Sequence, residues 1–166
     1  MERLTGLFAA LFQDTQKAGP LKEVAKHLAR VALYQKFGTD ALYPDVKEKC
    51  EKLISVMASK GMPVRLQEGF RPAKLQDEYY AKGRTTTGSK ITNAKGLQSY
   101  HQYGLAFDLV FVEHGYNPPD SWWDILGKEG EKLGLSWGGR WIGFSDRPHF
   151  EWHPGFEWKE LEQYFK

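Results

Sequence analysis

Apolar residues recur at helical spacing in the first third of the chain, and alternation or continuous apolar runs appear only later. Leu4 to Lys17 reads as a short helix ended by Gly19-Pro20. Leu21, Val24, Ala25, Leu28, Val31 and Ala32 then form the stripe of a second helix that stops near Gly38. Val46, Cys50, Leu53, Ile54 and Met57 form the stripe of a third, from Pro44 to Lys60, with Gly61 as its stop. Pro44 suits the first turn of that helix, where its missing N–H is not needed. Met62 to Gly69 reads as a strand, and Ala73 to Lys82 as a short polar helix. The segment from Gly83 to Gln98 is rich in Gly, Thr, Ser and Lys and reads as a long loop, a length that usually signals function or disorder. Leu105 to Val112 is the clearest strand. After the turn Asn117-Pro118-Pro119-Asp120, whose Asp120 or next residue Ser121 would cap it, a helix runs to about Leu133. Short strands around Leu135–Trp137 and Pro148–Trp152 and a closing helix from Phe156 to Lys166 complete the pattern.

Helices first and strands gathered later predict an α+β fold with a small antiparallel sheet packed against helices. The 166 residues suffice for one domain spanning 1–166. Its helical N-terminal part covers about 1–60 and its chemistry-bearing segments lie in 64–152. A hydrophobic share of 41% and a charged share of 27% are those of a soluble globular chain. The aromatic share of 14% is high and gathers between Trp122 and Trp158, which predicts a tight core or an aromatic-lined groove there. A net charge of +2 argues against nucleic acid as a partner, because neutralising phosphates takes a strongly basic face. No apolar run approaches the ~20 residues of a membrane span, and Met1 to Phe8 lacks a secretory leader, so the reading expects delivery by other means. Cys50, the single cysteine, reads as a small core residue.

Asp108 breaks the pattern, because it sits in the middle of a strand that is apolar on both faces. A buried carboxylate without a partner costs several kcal/mol, so it needs a cation, several hydrogen bonds or a metal. Upstream is His101, in a polar segment that enters the strand through Gly104. A second unusual stretch, Ser145-Asp146-Arg147-Pro148-His149-Phe150-Glu151-Trp152, sets a histidine at the start of a strand with a carboxylate three residues before it. His101, Asp108 and His149 together supply the two nitrogens and one oxygen of a catalytic zinc site, and Asp146 is the natural base beside it. A buried Arg or backbone donors could equally partner Asp108, and spacing alone does not choose. His27 reads as an ordinary helix residue, and His114 and His153 as surface residues beside turns. Glu113 and Glu151 read as solvent-facing or supporting.

Ser99-Tyr100-His101-Gln102-Tyr103-Gly104-Leu105-Ala106-Phe107-Asp108 matches SxHxxGxAxD at every fixed position. This resembles the zinc peptidases that include the VanY-like D-alanyl-D-alanine carboxypeptidases, the vancomycin-resistance D,D-dipeptidases and the L-alanyl-D-glutamate endolysins. Asp146-Arg147-Pro148-His149-Phe150-Glu151 looks like the second metal motif of that family. Glu68-Gly69-Phe70-Arg71-Pro72, followed by Gln76, is similar to its substrate-binding segment. The resemblance implies one zinc ion on His101, Asp108 and His149, with Asp146 as general base and Arg71 steadying the developing oxyanion. Ser99 and Gln76 would be supporting or substrate contacts. It also implies a Hedgehog-like, D,D-peptidase-like α+β fold with the zinc on the face of a small antiparallel sheet. Arg140 departs from the family in Trp137-Gly138-Gly139-Arg140-Trp141, where members often carry Asp.

The function expected from this resemblance is cleavage of the peptidoglycan stem peptide between L-alanine and D-glutamate. The chain would be a monomeric phage-type lysis enzyme without stable membrane insertion, made in the cytoplasm and brought to the wall through a separate holin-type pore. A D-alanyl-D-alanine carboxypeptidase is the first alternative; it needs a cation for the terminal carboxylate, and Arg84, Lys90 and Arg140 are the candidates. The second alternative is a non-catalytic module that keeps the zinc fold, as the Hedgehog signalling domain does.

Overall fold

The computed structural model describes residues 42–153, 155 and 157–163. The helices expected over Leu4–Lys17 and from Leu21 to near Gly38 lie outside the described residues. In chain order the elements are α1 (Pro44–Ser59), β1 (Val64–Glu68), α2 (Ala73–Ala81), β2 (Ala106–Phe111), α3 (Asp120–Lys132), β3 (Ser136–Trp137), β4 (His149–Glu151) and α4 (Trp158–Glu162). Tyr100–Tyr103 and Gly138–Arg140 form single 3₁₀ turns. The described residues group into two compact units, one of residues 42–70 and 104–153, the other of residues 71–103, 155 and 157–163.

The first unit holds the sheet, in the order β1-β2-β4-β3 with every neighbouring pair antiparallel. The register sets Phe107 opposite Phe150, which in turn faces Trp137. Phe107, Leu109 and Phe111 therefore share one face with Phe150 and Trp137, and all five are buried. Phe107 stacks on Phe150 at 5.7 Å, and Trp123 of α3 meets Phe111 edge-on at 5.1 Å. Val46, Cys50, Leu53 and Met57 give α1 a buried stripe, as their spacing predicted, with Ile54 of the expected stripe only half-buried. Burial pushes the Cys50 thiol up to about 12, with Glu51 adding to it, so at neutral pH the residue is an inert hydrophobe. The opposite sheet face carries Asp108 between Ala106 and Val110 on β2, with His149 and Glu151 on β4. One row of chemistry thus lies on the back of a purely apolar core.

Helix α3 reaches the apolar face through two glycines. A Cβ on Gly127 would sit 2.2 Å from the Trp137 ring, and one on Gly130 2.3 Å from the Phe150 ring. Alanine would gain about 1 kcal/mol of helix propensity over glycine. Overpacking against a ring fixed in the sheet costs about 1–3 kcal/mol and wins. Gly130→Ala is expected to lower unfolding free energy by up to about 2 kcal/mol, read from urea denaturation. The helix begins at Asp120, with Pro119 as its flanking residue and no side-chain cap. This corrects the expected cap at Asp120 or Ser121: the Asp120 carboxylate lies in the first turn and pairs with Arg147 at 2.5 Å.

In the second unit, α2 is the short polar helix expected, and Gln76 is its buried residue. Residues 83–98 form no helix or strand longer than a single bridge, but they are well tied down. Arg84 donates to the carbonyls of Tyr80 and Thr92 at 2.6 and 2.9 Å and lies 3.8 Å over the Tyr80 ring. The Gly96 N–H donates to Asp77 at 2.7 Å, and the Tyr103 hydroxyl to the Leu97 carbonyl at 2.7 Å. Leu97 takes a positive φ of 64°, unusual for a residue with a side chain, and that last bond helps hold it there. The described part of the closing helix, α4, starts with a capping box between Glu157 and Glu160 and buries Leu161.

Candidate metal centre and active site

Each fixed position of Ser99 to Asp108 has a local structural reason. The Ser99 hydroxyl accepts the His101 N–H at 3.4 Å, and the Ser99 N–H donates to the Gln102 side chain at 3.0 Å, which closes the 3₁₀ turn around His101. The His101 carbonyl accepts the Arg71 N–H at 3.2 Å. Gly104, with φ +66°, releases the chain from that turn into β2. Ala106 is fully buried and leaves room on the polar face, and Asp108 follows two positions later on that face.

His101, Asp108 and His149 each offer one ligand atom, and these atoms lie within 4.8 Å of one another. Two imidazoles and one carboxylate, buried or nearly so, form a donor set that suits zinc. His149 is paired across the β2–β4 register with Asp108, so its place follows from the sheet. Its Nδ1 lies 3.1 Å from Asp108 and its Nε2 lies 3.0 Å from Glu151. Burial works against the His149 imidazolium, but the hydrogen bonds and charges of Asp108 and Glu151 outweigh it and push the ring up to about 10. In Glu151 burial is again the largest influence, opposed and outweighed by His149 and His153, which hold the carboxyl below its usual range. Acids this enclosed demand a positive partner, and a bound cation answers the demand that the imidazolium meets in its absence.

Asp146 sits in a tight turn before His149: its carbonyl accepts the His149 N–H at 3.2 Å and its N–H donates to Gly138 at 3.0 Å. A Cβ at Gly138 would lie 2.5 Å from the Asp146 carbonyl and 3.1 Å from the His149 Cβ, so only glycine lets the two segments approach. Trp141 tilts over His149 at 5.0 Å while remaining 39% exposed, and Ile142 beside it is fully exposed. These residues make an apolar lip next to His149. The Tyr116 hydroxyl is pushed up, by burial first and then by Asp108, with Glu68 and Asp146 adding to it.

Comparison with known proteins decides the family. The D-alanyl-D-alanine carboxypeptidase family profile matches residues 92–152. The chain is 38% identical over 125 residues to the peptidoglycan L-alanyl-D-glutamate endopeptidase CwlK of Bacillus subtilis (strain 168), covering 68% of this chain and 74% of that protein. The chain belongs to the VanY-like and L-alanyl-D-glutamate zinc peptidase family. It is also 29% identical over 117 residues to the L-alanyl-D-glutamate peptidase of Listeria phage A118, covering 68% of this chain and 38% of that longer protein. Two solved structures share the fold. One is the L,D-carboxypeptidase DacB from Streptococcus pneumonia, at 23% identity and TM-score 0.54, covering 75% of this chain and 73% of that one. The other is the vancomycin-resistance D,D-pentapeptidase VanY in complex with Zn(II), at 16% identity and TM-score 0.51, covering 75% and 84%. The expected α+β fold with its small antiparallel sheet is thereby borne out, and the chain is a zinc metallopeptidase.

In this zinc peptidase, Arg71 is 8% exposed and donates to the Gln76 side chain at 2.7 Å. Gln76 is fully buried, and its amide nitrogen donates to Thr92 at 3.1 Å and to the Ala94 carbonyl at 2.8 Å. Gln102 adds a bond to the Gln76 oxygen at 3.3 Å and one to the Arg71 carbonyl, also at 3.3 Å. Gln76 thus supports Arg71 and the following loop from beneath, and does not offer a free amide to a substrate. Ser99 likewise serves the turn that carries His101. Glu113 and His114 are exposed, as expected of surface residues.

Glu151 takes the supporting one of its two expected roles, and His153 goes further than the surface residue it was read as. The Glu151 side chain is only 12% exposed and bonds both His149 and His153, the latter at 2.9 Å, so it is not solvent-facing and His153 is not a plain surface residue. For His153 the signal was its spacing of two from Glu151, itself two from His149 on β4, which lets the three side chains meet in sequence order. Glu68 was also underrated: an irregularity after Leu66 sets it opposite Asp108, in line with His149.

Proposed function

We propose that this zinc peptidase is a peptidoglycan L-alanyl-D-glutamate endopeptidase, with His101, Asp108 and His149 as its zinc ligands and Asp146 as its general base. The observation that carries the reading is the His-Asp-His cluster in a chain 38% identical to an endopeptidase of that specificity. Zinc bound there would polarise the scissile carbonyl and lower the pKa of water, which supplies the nucleophile at neutral pH. The Asp146 carboxylate takes the proton of the attacking water and returns it to the departing D-glutamate nitrogen. Arg71 steadies the carbonyl oxygen as it gains negative charge, and Gln76 keeps the guanidinium aimed. Hydrolysis leaves L-alanine with a free carboxylate on the glycan side and a released peptide that begins with D-glutamate.

The carboxypeptidase alternative needs a cation for a terminal carboxylate, and the candidates are largely engaged. Arg140 makes a two-pronged pair with Glu131 at 3.0 and 3.1 Å, which anchors the Trp137–Trp141 segment to α3. Arg84 is held by two backbone carbonyls and stacked on Tyr80. Lys90 is exposed and is the remaining candidate. The proposal includes action as one catalytic domain and as a monomer, with delivery to the wall through a separate pore as in phage lysis. No helix among the described residues is long and apolar enough to cross a membrane.

Mass spectrometry of the fragments released from purified peptidoglycan tests the reading. Peptides beginning at D-glutamate, released by the zinc-loaded protein and not by the chelated one, are the expected result. Loss of only a terminal D-alanine would replace it with the carboxypeptidase.

A further inference from the structure

Resting on the zinc reading above, we propose that Glu151 is a positioning residue that fixes the tautomer and ring orientation of His149, and that His153 holds Glu151 for that task. The two nitrogens of His149 have different neighbours. Nδ1 faces Asp108, a fellow member of the ligand set, at 3.1 Å, and Nε2 faces Glu151 at 3.0 Å. Only the nitrogen beside Asp108 can direct its lone pair to a shared ion, so Nδ1 is the donor to metal and Nε2 carries the proton. A carboxylate on the far nitrogen of a metal-binding imidazole selects the tautomer, stops ring rotation and makes the ring a better donor.

The surroundings of Glu151 suit this purpose. In register it lies between Ala106 on β2 and Ser136 on β3, two small residues. The carboxylate is therefore free to lean along its own strand, where one oxygen reaches His149 and the other His153. The small residue at position 106 in the SxHxxGxAxD signature thus acquires a reason: a larger side chain there would crowd Glu151. His153, whose side chain is 35% exposed, closes the chain of bonds at the surface.

The test measures zinc affinity of the purified full chain by competition with a chromogenic chelator, with no wall substrate present. Glu151→Ala is expected to weaken zinc binding by roughly 10–100-fold. Glu151→Gln should recover most of that loss, since the amide oxygen still accepts the Nε2 proton, and His153→Ala should give a smaller loss. Nitrogen-15 NMR of the zinc-loaded protein should show the His149 proton on Nε2. A folded Glu151→Ala protein that binds zinc within twofold of the parent overturns the proposal, as does a Glu151→Gln protein no better than the alanine variant. If Glu151→Ala fails to fold, the NMR tautomer decides, and a proton on Nδ1 overturns the assignment. Normal results here combined with no cleavage of any wall would sink the endopeptidase reading alone.

Discussion

Asp146→Ala protein is expected to bind zinc normally and to release stem peptides about 10²–10⁴-fold more slowly than the parent, the usual contribution of a positioned acid-base group. Two bonds of its turn are made by the backbone: the Asp146 N–H donates to Gly138 and its carbonyl accepts from His149. Alanine preserves both, and with them the backbone link to His149, the proposed zinc ligand. The loss should fall on the chemical step, with kcat reduced and zinc stoichiometry unchanged. Steady-state kinetics on a soluble muropeptide, alongside metal analysis, separates the two quantities. An Asp146→Ala enzyme within a few-fold of the parent would remove Asp146 as the base.

The second large effect concerns the metal. Stripping zinc with a chelator is expected to lower cleavage by at least ~10³-fold, since the ion supplies several kcal/mol of charge stabilisation. Added zinc should restore the native protein but not Asp108→Ala, which lacks the oxygen ligand. The stripped chain should remain folded at neutral pH, because a protonated His149 sits between Asp108 and Glu151. Its ring is raised from 6.5 to about 10 in that state, so the stabilisation is complete below about 6.5 and is lost as pH rises through about 10. Thermal melts of the stripped protein across that range should show Tm falling as pH rises. A Tm that climbs instead would mean that the imidazolium does not hold the acids.

The centre was legible in the sequence because its members violate the local pattern. An acid inside Ala106-Phe107-Asp108-Leu109-Val110 has no reason to be there unless something positive meets it, and the structure brings two histidines to it. The stripe of α1 and the apolar face of β2 were equally readable, since periodicity alone determines which side chains share a face. What escaped depends on partners far apart in sequence. Gln76 stayed between a supporting and a substrate-contacting role because nothing local reveals that Thr92, Ala94 and Gln102 surround it. Glu151 stayed between a solvent-facing and a supporting role because a strand of three residues gives little alternation to read. The segment 83–98 read as open loop because its order comes from Arg84, Asp77 and Tyr103 side chains gripping backbone groups, a pattern with no period.

The division of the sheet into a wholly apolar face and a face bearing the proposed ligands has an evolutionary consequence. Phe107, Phe111, Phe150 and Trp137 are buried on one side, whereas Asp108 and His149, the proposed ligands, stand on the other. Substitutions that end catalysis need not touch a single ring of the core. A descendant could lose Asp146, keep its architecture and persist as a receptor or a pure wall-recognition module, so silencing the enzyme and retiring the scaffold are separate events for a lineage built this way.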